Sequence, residues 1–142
     1  MAACPCGAKD YATCCAPYHQ SVRAAAQTLI EPLATHLSRQ NTPASALVMM
    51  RTRYSAYVLK LEDYLLATWH HSTRPETLEL LADHSKWLGL EIKRHEVQSE
   101  QHATVEFVAR YKIAGRAYRL HELSRFVREE GCWYYVAGDF KD

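Results

Sequence analysis

The spacing of apolar residues changes character once along this chain, near residue 87. Before it, the pattern is helical. Thr42–Leu59 reads TPASALVMMRTRYSAYVL, with Thr42 placed to cap a helix and Pro43 at its first position, where a missing N–H costs nothing. Beyond Ser45 nearly every position is apolar or aromatic, including Leu47, Val48, Met49, Met50, Tyr54, Tyr57, Val58 and Leu59. A helix apolar on most faces is central and packed from several sides. Tyr64–His70 predicts a second short helix, residues 70–75 a loop, and Pro75 the start of a third helix from Glu76 to about Lys86, with Leu78, Leu81 and Ala82 inward. From Trp87 the period falls to two: Leu88, Leu90 and Ile92 alternate with Gly89, Glu91 and Lys93. Further strands are expected at Ala103–Ile113, Arg116–Glu129 and Cys132–Ala137, joined by hairpins at Ala114-Gly115 and Glu130-Gly131. Helices followed by an antiparallel sheet predict an α+β fold, in which a curved sheet closing over helices leaves a concave pocket.

Two arginines interrupt the central helix. Arg51 and Arg53 lie two residues apart and so diverge, which turns at least one of them toward protein. A buried guanidinium needs polar partners. On the third strand Glu122, Ser124 and Phe126 share one face, and His121, Leu123, Arg125 and Val127 the other. The expected constellation pairs Arg53 with Glu122 or Glu106 and includes Arg125.

Upstream, residues 21–40 are rich in Ala and Leu and predict a helical connector, kinked or split at Pro32, with His36 solvated. Asn41-Thr42-Pro43 marks a boundary. The expected organisation is a small knuckle at 1–19, a helical connector at 20–41 and a main domain at 42–142.

Composition narrows the function classes. A hydrophobic fraction of 48%, with three Trp, nine Tyr and three Phe, supports a sizeable core, and a net charge of +1 gives no electrostatic footprint for nucleic acid or an anionic membrane. No apolar run reaches the roughly 18 residues of a membrane span, and MAACPCGAKD lacks the pattern of a secretory signal. The expected compartment is the cytoplasm, where clustered cysteines favour metal over disulfides.

Four of the five cysteines fall in Cys4-Pro-Cys6-Gly and Thr13-Cys14-Cys15. Pro5 and Gly7 can bend the chain so that Cys4 and Cys6 turn inward together, and the spacer 7–13 is long enough to return as one helical turn. Four thiolates with no open position form the closed tetrahedral arrangement of structural zinc, which would stabilise a segment too short for its own core. Surface thiols, a disulfide, or His19 in place of one cysteine are the alternatives. Cys132 reads as a lone strand residue. His70-His71 does not read as a metal motif, since adjacent residues diverge and no third ligand stands at helical spacing.

The segments CPCG and CC at Cys4–Cys15, PYH at Pro17–His19, MRTRYSAYVL at Met50–Leu59, DYLLATWH at Asp63–His70, WLGLEI at Trp87–Ile92, VEFVARY at Val105–Tyr111 and HELSRFVREEGCWYYVAGD at His121–Asp139 together resemble the YchJ family of uncharacterised bacterial proteins. The N-terminal part resembles a SEC-C motif, the zinc knuckle also found at the tail of the SecA translocation motor. The spacer between Cys6 and Cys14 is one residue shorter than the usual SEC-C form, and residues 20–41 form a longer link than usual. The resemblance implies a nuclear-transport-factor-2-like (cystatin-like) cone, with helices on a curved antiparallel sheet of about four strands. It also implies structural zinc at Cys4, Cys6, Cys14 and Cys15.

Two functions follow as expectations. One is a binding or interaction module, in which the knuckle meets a protein partner. The other is a small-molecule site, with isomerase or dehydratase-type acid–base chemistry, in a pocket drawn from Arg53, Tyr54, Tyr57, Trp69, His70, Glu122, Arg125 and Tyr134. Binding is favoured over catalysis, nucleic acid and membrane are disfavoured, and a homodimer through the sheet is in keeping with such folds.

Overall fold

The computed structural model describes residues 3–20 and 42–141. The helical connector expected at 20–41 lies outside the described residues, apart from Gln20.

The central helix, α1 (Ala46–Val58), begins three residues later than the sequence predicts. Ser45, not Thr42, is its cap: the Ser45 backbone is extended, and its hydroxyl accepts the Val48 N–H at 3.1 Å. At the far end Lys60 takes a left-handed turn (φ 58°), and the Leu61 N–H reaches back to the Ala56 carbonyl at 2.8 Å, closing the helix. The burial expected on most faces of α1 is present, and it takes in Ala46, Met49, Met50, Thr52, Arg53, Tyr54, Ser55 and Ala56.

The second helix, α2 (Glu62–Ala67), is shorter than predicted, ending before Thr68. The third predicted helix, Glu76 to Lys86, does not form. Residues 80–82 make a single 3-10 turn, preceded by Glu79 in a left-handed conformation (φ 52°). The reason lies in α2. The Glu62 carboxylate accepts hydrogen bonds from the Thr77 hydroxyl at 2.9 Å and the Leu80 N–H at 3.1 Å, spending groups that a helix would need. These bonds, led by the Leu80 N–H, also hold the Glu62 carboxyl below the usual carboxylate range. Lys60 fastens the same segment by donating to the carbonyls of Leu80 and Asp83.

Four antiparallel strands follow in sequence order: β1 (Lys86–Val97), β2 (His102–Ile113), β3 (Arg116–Glu129) and β4 (Cys132–Phe140). Both tight hairpins fall where predicted, with positive φ at Ala114, Gly115, Glu130 and Gly131. Register shifts between Trp87 and Gly89, between Ile92 and Arg94, and opposite Arg125/Phe126 bend the sheet around α1. The β4 edge is covered by the chain leaving α2: the Tyr135 N–H donates to the Thr68 carbonyl, and the His70 N–H to the Tyr135 carbonyl.

The core has two parts. Met49, Met50 and Tyr54 of α1 pack on Val105, Phe107, Phe126 and Trp133 of the sheet, with three knuckle cysteines joining from the other side. A second cluster unites Ala56, Tyr64, Leu65, Ala67, Leu80 and Tyr134. A hydrogen-bonded chain ties the layers together, with Tyr64 donating to the Thr52 hydroxyl at 2.7 Å and Thr52 donating to the Met49 carbonyl at 2.8 Å. Among the described residues no helix is long and apolar enough to cross a membrane.

Candidate functional site

The knuckle is built by two short returns of the chain. The Gly7 N–H donates to the Cys4 carbonyl and the Cys4 N–H to the Ala8 carbonyl, with Gly7 at φ 112°, a value that L side chains rarely adopt. A 3-10 turn at Tyr11–Thr13 follows, capped by the Asp10 carboxylate, and delivers Cys14 and Cys15. The four sulfur atoms of Cys4, Cys6, Cys14 and Cys15 all lie within 4.8 Å of one another. Cys6 and Cys14 stand 3.6 Å apart, and Cys14 and Cys15 stand 3.8 Å apart. A tetrahedral ion with metal–sulfur bonds of about 2.3 Å sets its sulfurs about 3.8 Å apart, so the cluster has the size such an ion requires. The donor set is four soft thiols with no oxygen ligand, which suits a soft or borderline ion.

Electrostatics supports that fit. Hydrogen bonding, from Cys15 foremost, brings the Cys6 thiol down to about 4, against the effect of burial. Burial, then Cys6, pushes Cys14 up to about 11, and Cys6 together with burial raises Cys15. Without a cation one thiolate therefore suppresses its neighbours; a bound ion lets all four ionise.

His19, the alternative ligand, stands outside the sulfur cluster. Its Nε2–H donates to the Thr52 carbonyl at 2.8 Å, and its Nδ1 pairs with the Tyr11 hydroxyl at 2.7 Å. Nε2 thereby ties the helical residues 16–20 to α1, and Nδ1 ties them to the knuckle. Arg51 does similar work, donating from Nη1 to the Cys6 carbonyl at 3.2 Å, while the Ser55 hydroxyl lies 3.5 Å from the Cys4 sulfur and 3.3 Å from that of Cys15.

On the opposite side of α1 a cavity of about 330 Å³ opens between helix and sheet. Its walls are mostly aromatic. Trp87 meets Tyr54 edge to face at 5.9 Å, and Trp69 meets Tyr135 at 5.0 Å and 89°. Arg53 and Glu122 supply the charge. Arg53 is 2% exposed, and the partners predicted for it need correction. Its Nη1 donates to the Leu65 carbonyl at 2.8 Å and the Thr68 hydroxyl at 2.7 Å, and its guanidinium carbon lies 4.6 Å from the Tyr135 ring centroid and 5.1 Å from that of Trp69. Among the described residues no carboxylate forms an ion pair with it. Glu122 acts on it only at longer range, and burial lowers the guanidinium pKa, with Tyr57 first among the opposing influences. Glu106 pairs instead with His121 at 2.7 Å, and Arg125 with Asp139 at 2.6 Å.

Glu122 is held by the Ser124 hydroxyl at 2.5 Å and the Tyr135 hydroxyl at 3.2 Å. Gly138 makes room for it: a Cβ there would stand 2.0 Å from Oε2. Burial raises the Tyr57 and Tyr135 phenols, so both act as neutral hydrogen-bonding groups.

Of the eight pocket residues read from the sequence, Arg53, Tyr54, Tyr57, Trp69 and Glu122 line this cavity. His70 and Tyr134 do not; they turn into a second cleft beyond Trp69. Arg125 lies exposed on the other face of β3, as alternation with Ser124 requires. Tyr135 takes the place expected for Tyr134, because Phe126 pairs with Tyr135 and the register slips before Arg125 meets Ala137. Trp87, Phe107, Leu120 and Ser124 also line the cavity; Ser124 could have been found from its alternation with Glu122. Sequence also missed that His70 and His71 both meet Glu129, which reaches them from 59 and 58 residues away across the β3–β4 hairpin.

Comparison with known proteins agrees with this architecture. Residues 45–138 match the family described as "YchJ, middle NTF2-like domain". A protein of Chromobacterium violaceum described only as a UPF0225 protein is 52% identical, over 96% of this chain and 92% of that one. One from Bordetella parapertussis is 53% identical over 99% and 94%. Two solved structures are similar over the whole chain. A SEC-C motif containing protein from Rhodopseudomonas palustris is 30% identical with a TM-score of 0.72, covering 99% of this chain and all of that one. Another, from Psychrobacter arcticus, is 27% identical with a TM-score of 0.74, covering all of this chain and 84% of that one.

Proposed function

The chain belongs to the YchJ family, and from that premise we propose that it is a small-molecule-binding protein whose cone-shaped cavity is the binding site and whose knuckle holds structural zinc. The observation that carries the reading is Arg53. A fully buried cation lines a cavity of about 330 Å³, and no carboxylate pairs with it among the described residues. Nη1 spends its protons on Leu65 and Thr68, and the guanidinium, fixed by two aromatic rings, has Tyr57 as a further hydrogen-bonding neighbour at the cavity wall. Such a volume, mostly apolar walls and few placed polar groups are the ordinary make-up of a ligand site. The ligand class that fits has a flat apolar body for the Trp69, Trp87 and Tyr54 walls and an anionic or acceptor end for Arg53.

Binding is favoured over acid–base catalysis because the cavity joins a carboxylate to phenols but to no histidine; the His121–Glu106 and His70–Glu129 pairs lie elsewhere. The knuckle reads as structural because Cys4, Cys6 and Cys15 are buried and bind α1 through Ser55 and Arg51. Zinc is the ion proposed because four thiolates in a closed tetrahedron suit it best.

Calorimetric titration of the zinc-loaded chain with one- and two-ring aromatic carboxylates is the test. One-to-one binding is expected, abolished by Leu120→Trp, which fills the cavity from its half-buried wall, with little change in the ligand-free Tm. Absence of binding across the series, or binding that survives Leu120→Trp, overturns the reading.

A further inference from the structure

Beyond Trp69 a separate cleft of about 110 Å³ lies between the loop after α2 and the β3–β4 hairpin. We propose that His70, His71 and Glu129 form a second metal site there, an open and exchangeable one for a divalent transition ion. One ligand atom from each lies within 4.8 Å of the others. Nε2 of His70 is in close hydrogen-bond contact with one Glu129 carboxylate oxygen, and Nε2 of His71 stands 3.7 Å from the other. Donors around a tetrahedral ion with bonds of about 2.1 Å stand roughly 3.4 Å apart, so small side-chain rotations bring all three to bonding distance.

The adjacency that argues against a motif on a helix does not apply here. His70 and His71 sit in a turn, and their rings come to 4.2 Å between centroids at 31°.

The first ligand is supported from behind. Nδ1 of His70 lies 2.6 Å from the Ser72 hydroxyl and 3.2 Å from the Ser72 N–H. With metal at Nε2 the ring proton sits on Nδ1, where the Ser72 hydroxyl oxygen can accept it, while the Ser72 N–H, which donates to Nδ1 in the metal-free ring, gives up that contact. The loop itself is fixed: the His70 N–H donates to the Tyr135 carbonyl at 2.7 Å, and the Thr73 hydroxyl to the Val136 carbonyl at 2.6 Å. A rigid loop and a strand end therefore present the ligands with little ordering left to do. Two imidazoles and one carboxylate leave coordination positions free, and the exposure of His71 (65%) and Glu129 (52%) opens them to solvent. This arrangement contrasts with the closed sulfur cluster, and its ligands are harder.

The full chain, tag-free and with its knuckle already zinc-loaded, is titrated with zinc and with cobalt(II). Calorimetry is expected to show one further equivalent, and cobalt a visible absorption band without thiolate charge transfer. His71→Ala and Glu129→Gln should each weaken this equivalent at least tenfold, while His84→Ala, at an exposed histidine outside the cleft, leaves it unchanged. Thermal melts confirm that each variant is folded. No further equivalent in the native chain, or one that both cleft variants leave intact, overturns the proposal.

Discussion

Arg53 and Glu122 face the same cavity yet each is satisfied separately, one by a carbonyl, a hydroxyl and two rings, the other by two hydroxyls. The energetics of the pair follow from this. Arg53→Ala leaves the Leu65 carbonyl and Thr68 hydroxyl short of a donor and removes the cation from both rings; the expected cost is about 3 kcal/mol. Glu122→Gln keeps an acceptor for Ser124 and Tyr135, and its cost should be about 1 kcal/mol or less. A double-mutant cycle by urea denaturation reads the coupling, expected below about 1 kcal/mol. A coupling as large as the roughly 3–5 kcal/mol of a broken buried ion pair would mean that the two are partners after all. The sequence made a buried guanidinium legible, because Arg51 and Arg53 cannot both avoid a helix packed on several sides. It could not make the partners legible: a backbone carbonyl on α2 leaves no mark in the residue types.

Elements were read well where local chemistry decides them. β3 and both hairpin turns are where alternation and the Ala-Gly and Glu-Gly pairs placed them, since a two-residue turn with positive φ fixes the register on both sides. The misread elements are those settled by distant groups. Pro75 and the apolar spacing of Leu78 and Ala82 suit a helix, but Glu62 and Lys60 capture the segment's donors and carbonyls. Likewise the register slip that puts Tyr135 rather than Tyr134 in the cavity belongs to the pairing of β3 with β4, not to β4 alone. At the start of α1 two plausible caps compete within four residues. Ser45 holds the position, so Ser45→Ala should lower stability by about 1 kcal/mol in chemical denaturation, and Thr42→Ala should not reproduce that loss through the cap.

At the scale of the whole molecule, α1 is shared by the two sites. Its Arg51 and Ser55 hold the knuckle, and its Met50, Arg53, Tyr54 and Tyr57 line the cavity. The knuckle has no core of its own; Cys4, Cys6 and Cys15 complete one that α1 and the sheet begin. Metal binding there should accordingly be felt along α1, not only by residues 3–20. Ligation at 1,000 times the dissociation constant contributes about 4 kcal/mol, so stripping the metal with a strong chelator should lower Tm by on the order of 10 °C. Cys14→Ser, which alters the least buried of the four clustered cysteines, should lower the starting Tm and blunt any further fall with chelator. The decisive readout is amide hydrogen exchange. Loss of metal should speed exchange in residues 3–20 and in α1 around Arg51–Ser55, while the β2–β3 hairpin stays protected. Exchange that rises in the knuckle alone would mean that the knuckle is an appendage which α1 merely touches, and that the cavity on the other side of the helix does not depend on the metal.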